Sequence, residues 1–122
     1  MTHPLARIAD DVAGLGVDIE PVARFADPDL RLFTPSEIAH CLGRPDASER
    51  FAGRWCAKEA VLKALTGAPG RYSLRDVEIV SGPQGEPHAR VNGYAGTVLV
   101  SIAHDGVTAV AVAWRQADPA ID

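Results

Sequence analysis

The stretch 51-FAGRWCAKEAVLKAL-65 decides how the chain is read. At about 100° per residue on a helical wheel, Phe51, Trp55, Val61, Leu62 and Leu65 form one bulky apolar face. Arg54 and Lys58 fall inside that face. Ala52, Cys56, Ala57, Ala60 and Ala64 cover much of the opposite side, and Glu59 and Lys63 lie on the border one turn apart. An ordinary surface helix keeps its charges away from its apolar stripe. This one does not, so the spacing predicts a helix packed on more than one side, with charge projecting into its surroundings. Two explanations are open. Glu59 and Lys63 can pair at i,i+4 for about 0.2–0.5 kcal/mol, with Arg54 and Lys58 laying their stems over apolar neighbours. Alternatively the charges share a cleft, where three cations suit phosphate groups and a carboxylate suits a hard metal ion bridging carboxylate and phosphate oxygens.

Working outward, "VAGLGVDI" (residues 12–19) reads as a first strand, with Gly14 and Gly16 allowing close backbone approach. Asp18 interrupts this apolar run, where an unpaired carboxylate is costly. It is either a second metal ligand or a strand-end acid capping the next helix. Pro21 is expected at the first position of a short helix through Val22 and Phe25. "TPSEIAHCLG" starts a helix with Thr34 and Glu37 as a capping box, closed by Gly43. Asp46 or Ser48 caps the long helix and Gly67 ends it. Leu74 to Val80 and "HARVNG" read as strands. "TVLVSIAHDGVTAVAVAWR" reads as a hairpin turning at Asp105-Gly106. Strand, helices, then antiparallel strands give an α+β class in one domain over residues 1–122.

The net charge is −4, against general nucleic-acid binding. Nine of the twelve Lys and Arg residues nevertheless lie between Arg24 and Arg75, against six acids there. That basic middle is either a solvated helical surface or a site for an anionic ligand or acidic partner. Cys41 and Cys56 show no paired spacing and are expected as small core residues. With no signal peptide or membrane-length apolar run, a cytoplasmic location is expected. His3, His40 and His88 have no ligand-like spacing, and no Gly-x-x-x-x-Gly-Lys loop is present, against a P-loop nucleotide hydrolase.

Three segments together, "GLGVDIEPVARF", "FAGRWCAKEAVLKAL" and "VSIAHDGVTAVAVA", resemble holo-acyl-carrier-protein synthase, the short type of 4′-phosphopantetheinyl transferase. "LFTPSEI" and the "GEP" turn add to the resemblance, which runs from about Gly14 to Ala113. It implies Mg²⁺-dependent transfer of the phosphopantetheine arm of coenzyme A to a serine of an apo acyl carrier protein, with adenosine 3′,5′-bisphosphate released. Asp18 and Glu59 would be the metal ligands, and Lys63 would neutralise the diphosphate. Arg54 and Lys58 would bind coenzyme A phosphates. His104, with Ser101 beside it, would contact the nucleotide. Arg24 would meet the acidic carrier protein, electrostatically a sensible pairing. The resemblance also implies a homotrimer with active sites between subunits. Glu37 or a metal-associated water would take the serine proton, and the sequence does not choose. The alternative is a non-catalytic carrier-protein-binding module on the same fold. Three departures stand out: "LTGAPG" after the long helix, Glu86 in the turn where lysine is common, and residues 1–11 as an N-terminal extension.

Overall fold

The computed structural model describes residues 11–117. The expected extension therefore lies almost wholly outside the described residues. Strand β1 (Val12–Pro21) leads through a 3₁₀ turn (Val22–Phe25) and a second (Leu30–Leu32) to helix α1 (Pro35–Cys41) and the long helix α2 (Ala47–Ala64). A third 3₁₀ turn (Leu74–Asp76) precedes β2 (Val77–Ser81), β3 (Pro87–Val91), β4 (Val98–His104) and β5 (Thr108–Gln116). Strands β1, β5 and β4 form one antiparallel sheet in that order, and β2 pairs with β3 in a second. The class is α+β, and α2 lies between the two sheets' inner faces and the 3₁₀ turns.

The local signals explain most of these boundaries. Thr34 and Glu37 make the capping box, with Glu37 N–H donating to Thr34 Oγ1 at 3.3 Å and Thr34 N–H to Glu37 Oε1 at 2.8 Å. Gly43 follows the helix with φ near +79°, a conformation that favours glycine. Four expectations need correction. Pro21 ends β1 instead of opening a helix, and Val22–Phe25 forms only a single 3₁₀ turn. Asp46 occupies the cap position of α2 without capping it, because its carboxylate takes Arg50 Nε at 2.9 Å. The helix stops at Ala64, before Gly67. Leu74–Asp76 is withdrawn from β2 because Asp76 Oδ2 accepts from Ser73 N–H at 2.8 Å and winds the segment into a turn.

The alanine side of α2 packs on the three-stranded sheet. Ala57, Ala60 and Ala64 meet the inward alanines of β5, Ala109, Ala111 and Ala113, and all six are buried. Small residues on both surfaces bring backbone close to backbone, and β1 takes this furthest. A Cβ at Gly16 would sit 2.8 Å from Lys63 Cβ and against the Ala60 carbonyl, so no side chain fits there. Arg115, buried at the end of β5, donates from Nε to Ala64 O and from Nη2 to Ala13 O, both at 3.2 Å, tying the helix end to β1. On its other side α2 packs Phe51 and Trp55 against Phe33, with ring centroids 5.0 and 6.4 Å away. The predicted two-sided burial of α2 is thus observed, and Cys41 and Cys56 are buried free thiols.

The strand period of two divides β1. Gly14, Gly16, Asp18 and Glu20 face α2, while Leu15, Val17 and Ile19 point outward and are 62, 45 and 64 % exposed. Leu99 on β4 extends this exposed apolar face.

Candidate functional site

The residues singled out from the sequence gather in two clusters on opposite sides of α2. Arg54 and Lys63 are nine residues apart, which puts them about half a revolution out of phase and about 13 Å apart along the axis.

The first cluster lies where β1 crosses α2. Lys63 Nζ donates to Val17 O at 2.8 Å and to Asp18 Oδ1 at 3.2 Å. Asp18 Oδ2 is buried and accepts no hydrogen bond from a nitrogen or oxygen donor among the described residues; the Cys56 thiol beside Asp18 is at most a weak donor to that carboxylate. A buried carboxylate oxygen left without a strong donor is unusual and calls for a ligand with positive charge. Glu59, half-buried, lies one turn before Lys63 on the same border of the helix. Glu20, two residues beyond Asp18, faces the same way and accepts from Arg24 Nη1 at 2.8 Å. Cys56 lies among these acids, and its thiol is pushed up to about 12, first by burial and then by the negative charges of Asp18 and Glu20. Burial and these charges favour the protonated thiol. Arg24 is half exposed, with its guanidinium 5.2 Å from the Trp55 ring centre and 5.5 Å from that of Phe25. It offers an accessible cation at the rim of the acidic cluster.

The second cluster lies between the start of α2, the end of β4 and the β2–β3 hairpin. A cavity of about 170 Å³ is lined by His40, Arg50, Arg54, Pro87, Ile102 and His104 among others. Arg54 is buried and donates from Nη2 to Ser81 Oγ at 2.6 Å, while its Nε has no partner among the described residues. Arg50 Nη1 lies 3.0 Å from His40 Nε2, which must therefore act as the acceptor. Burial, and then the charges of Arg54 and Arg50, hold His40 below its usual pKa, which favours this neutral form. The cluster thus presents guanidinium and imidazole groups to a space with room for a phosphate group.

Three residues, Lys58, Glu37 and Ser101, fall outside these clusters. Lys58 is buried, and its ammonium donates to Glu37 Oε1 at 2.7 Å. Glu37, also fully buried, accepts from Ile79 N–H through Oε2 at 2.8 Å. This pair joins α1, α2 and β2 and engages Lys58 away from both clusters, correcting its expected phosphate role. The same bonds remove Glu37 as an acceptor for a substrate proton. Ser101 is not beside His104: three residues apart on β4, they point to opposite faces, Ser101 toward the exposed apolar side. A concavity of about 690 Å³ beside Phe33, Thr34 and Arg75 contains none of the sequence-predicted residues except Lys58.

Glu20 and Arg50 were missed from sequence. The alternation Gly14, Gly16, Asp18, Glu20 carries the signal for the first. The i,i+4 pairing of Arg50 with Asp46 hid the second behind an ordinary surface ion pair.

Comparison with known proteins identifies the family. The 4′-phosphopantetheinyl transferase superfamily pattern matches residues 14–114, and the chain belongs to that superfamily. Within it, the chain is 38 % identical over 119 residues to a holo-[acyl-carrier-protein] synthase of Geotalea daltonii, covering 83 % of this chain and 95 % of the relative. Its fold matches the acyl carrier protein synthase of Mycobacterium tuberculosis with TM-score 0.72 and 36 % identity, over 88 % of this chain and 99 % of the other. It also matches the Helicobacter pylori holo-[acyl-carrier-protein] synthase solved with coenzyme A, with TM-score 0.69 and 28 % identity, over 83 % and 98 %. The chain is a transferase enzyme of this type.

The Lys58–Glu37 pair makes a testable distinction. Lys58→Met leaves a buried carboxylate without its cation and is expected to lower stability by about 3–5 kcal/mol in urea unfolding, with Glu37→Gln added to it recovering part of the loss. An unchanged unfolding midpoint, with weakened coenzyme A binding, would instead return Lys58 to the ligand site.

Proposed function

We propose that this enzyme moves 4′-phosphopantetheine from coenzyme A to a serine hydroxyl of an acidic acyl carrier protein and releases adenosine 3′,5′-bisphosphate. The observation that carries this is the buried Oδ2 of Asp18, without a nitrogen or oxygen donor, beside Lys63. An oxygen so placed fits a hard cation, and Asp18 with Glu59 would hold Mg²⁺, with Glu20 available next to them on β1. When bound, Mg²⁺ polarises phosphoryl oxygens and offsets the charge on the departing bisphosphate. Lys63 is held at the same place by the Val17 carbonyl and presents its ammonium to the diphosphate. Arg54, through its free Nε, and His104 take the nucleotide's remaining phosphate. Transfer at phosphorus relies mainly on such positioning and charge neutralisation. Arg24 is exposed next to the acidic cluster, where a carrier serine would have to arrive, and its charge suits an acidic partner.

One copy of the chain holds its two clusters on opposite sides of α2. A site joining the first cluster of one copy to the second of its neighbour resolves this, and the exposed face of Leu15, Val17, Ile19 and Leu99 supplies the contact surface. A homotrimer built on that face, with sites between subunits, fits both facts. Among the described residues no helix is long and apolar enough to cross a membrane. The buried free thiols suit a cytoplasmic enzyme.

Transfer is read directly by the mass of an apo carrier protein after incubation with coenzyme A and Mg²⁺. The wild type is expected to add one phosphopantetheine, and Asp18→Asn or Glu59→Gln to lose activity by on the order of 10²-fold or more. Unmodified carrier with every carrier type tried would overturn the reading. Ile19→Glu is expected to give monomers by light scattering and to abolish transfer. A fully active monomer would remove the shared site.

A further inference from the structure

Glu49 belongs to neither set of residues assigned above. It lies in the first turn of α2, and its Oε2 is 3.0 Å from Nδ1 of His104, at the end of β4. One turn further along, Gly53 leaves the helix surface bare. A Cβ there would lie 3.0 Å from Ile102 Cγ2 and 3.5 Å from His104 Cδ2, so the imidazole packs onto helix backbone. The ring is therefore fixed on two sides, by the carboxylate at Nδ1 and by the glycine at Cδ2. Nε2 is the remaining ring atom able to bond a ligand, and His104 lines the same cavity as Arg54 and Arg50.

Charge in this corner is already apportioned. Arg50 is engaged by Asp46 and His40, and Arg54 by Ser81 with Nε left over. Among the described residues, Glu49 makes its side-chain hydrogen bond with His104. Both side chains are about one-third exposed, so the pair has little value as a stabilising ion pair. Its consequence is orientation: a carboxylate accepting from one ring nitrogen fixes which way the other points.

We propose that Glu49 is a positioning residue that aims His104 Nε2 into the arginine-lined cavity, and so sets the enzyme's preference for a donor carrying a 3′-phosphate on its ribose. With the phosphate bound, the ring donates through both nitrogens, Nδ1–H to Glu49 and Nε2–H to the phosphate. The proposal rests on the assignment of His104 and Arg54 to that phosphate.

Calorimetric binding of coenzyme A and of 3′-dephospho-coenzyme A separates the two ideas, because it does not depend on turnover. The wild type is expected to prefer coenzyme A. Glu49→Ala should lose about tenfold of that preference while binding dephospho-coenzyme A unchanged, the scale of one hydrogen bond to a charged group. Glu49→Gln retains an acceptor for Nδ1–H and should recover most of it. In a His104→Ala background, Glu49→Ala should change nothing further. Equal weakening toward both ligands, or a preference untouched in Glu49→Ala, would overturn the proposal. Transfer by the wild type to an apo carrier reports separately on the parent assignment: a protein that keeps the Glu49-dependent preference yet transfers nothing would leave Glu49 in place and remove the transferase role.

Discussion

The close approach of β1 to α2 is the constraint on which the rest depends. Gly14 and Gly16 bring the strand onto the helix so tightly that the carbonyls of Ala64 and Ala60 occupy the space a side chain would need. Only because of that approach can Lys63 reach both the Val17 carbonyl and the Asp18 carboxylate. The alanines of α2 and β5 extend the same thin interface across the sheet. Arg115 closes its end by bonding backbone oxygens of both elements. A larger residue at any of these positions moves Asp18 away from the helix and separates the carboxylate from its cation.

Two buried polar side-chain atoms among the described residues have no nitrogen or oxygen partner, Asp18 Oδ2 and Arg54 Nε. One is an acceptor in an acidic cluster and the other a donor in a basic one. Buried polar atoms are nearly always satisfied, so each implies a missing complement: a cation at the first and an anion at the second. A metal–diphosphate with a further phosphate some distance away supplies both. Elsewhere the buried Lys58 and Glu37 close on one another, and the buried Arg115 bonds backbone oxygens. Glu37 satisfies Thr34, Lys58 and Ile79 together, and this ties α1 and β2 to the helix that carries both clusters.

Local signals were legible where the chemistry is local. The Thr34–Glu37 capping box, the strand around Gly14 and Gly16, the Asp105-Gly106 hairpin and the two-sided burial of α2 could all be read from spacing. The 3₁₀ turn at Leu74–Asp76 could not, because a single Asp76 carboxylate decides against the strand propensity of its neighbours. Lys58 shares a face with Arg54 on the wheel, yet only the tertiary fold shows that Glu37, 21 residues away, claims it. The Ser101–His104 placement failed on strand parity, which was available from the sequence once the strand was accepted. Glu20 was overlooked for a related reason: a Glu-Pro pair reads as a turn, but β1 runs through it and keeps the face of Asp18.

The central claim is that Asp18 and Glu59 hold a divalent cation against the diphosphate of coenzyme A, while the 3′-phosphate lies at the other cluster. Phosphorus magnetic resonance of bound coenzyme A with Mn²⁺ in place of Mg²⁺ tests it most directly. Strong paramagnetic broadening of the two diphosphate resonances is expected, with much weaker broadening of the 3′-phosphate and loss of both effects in Asp18→Asn. Broadening that persists unchanged in Asp18→Asn, or that falls mainly on the 3′-phosphate, would contradict it.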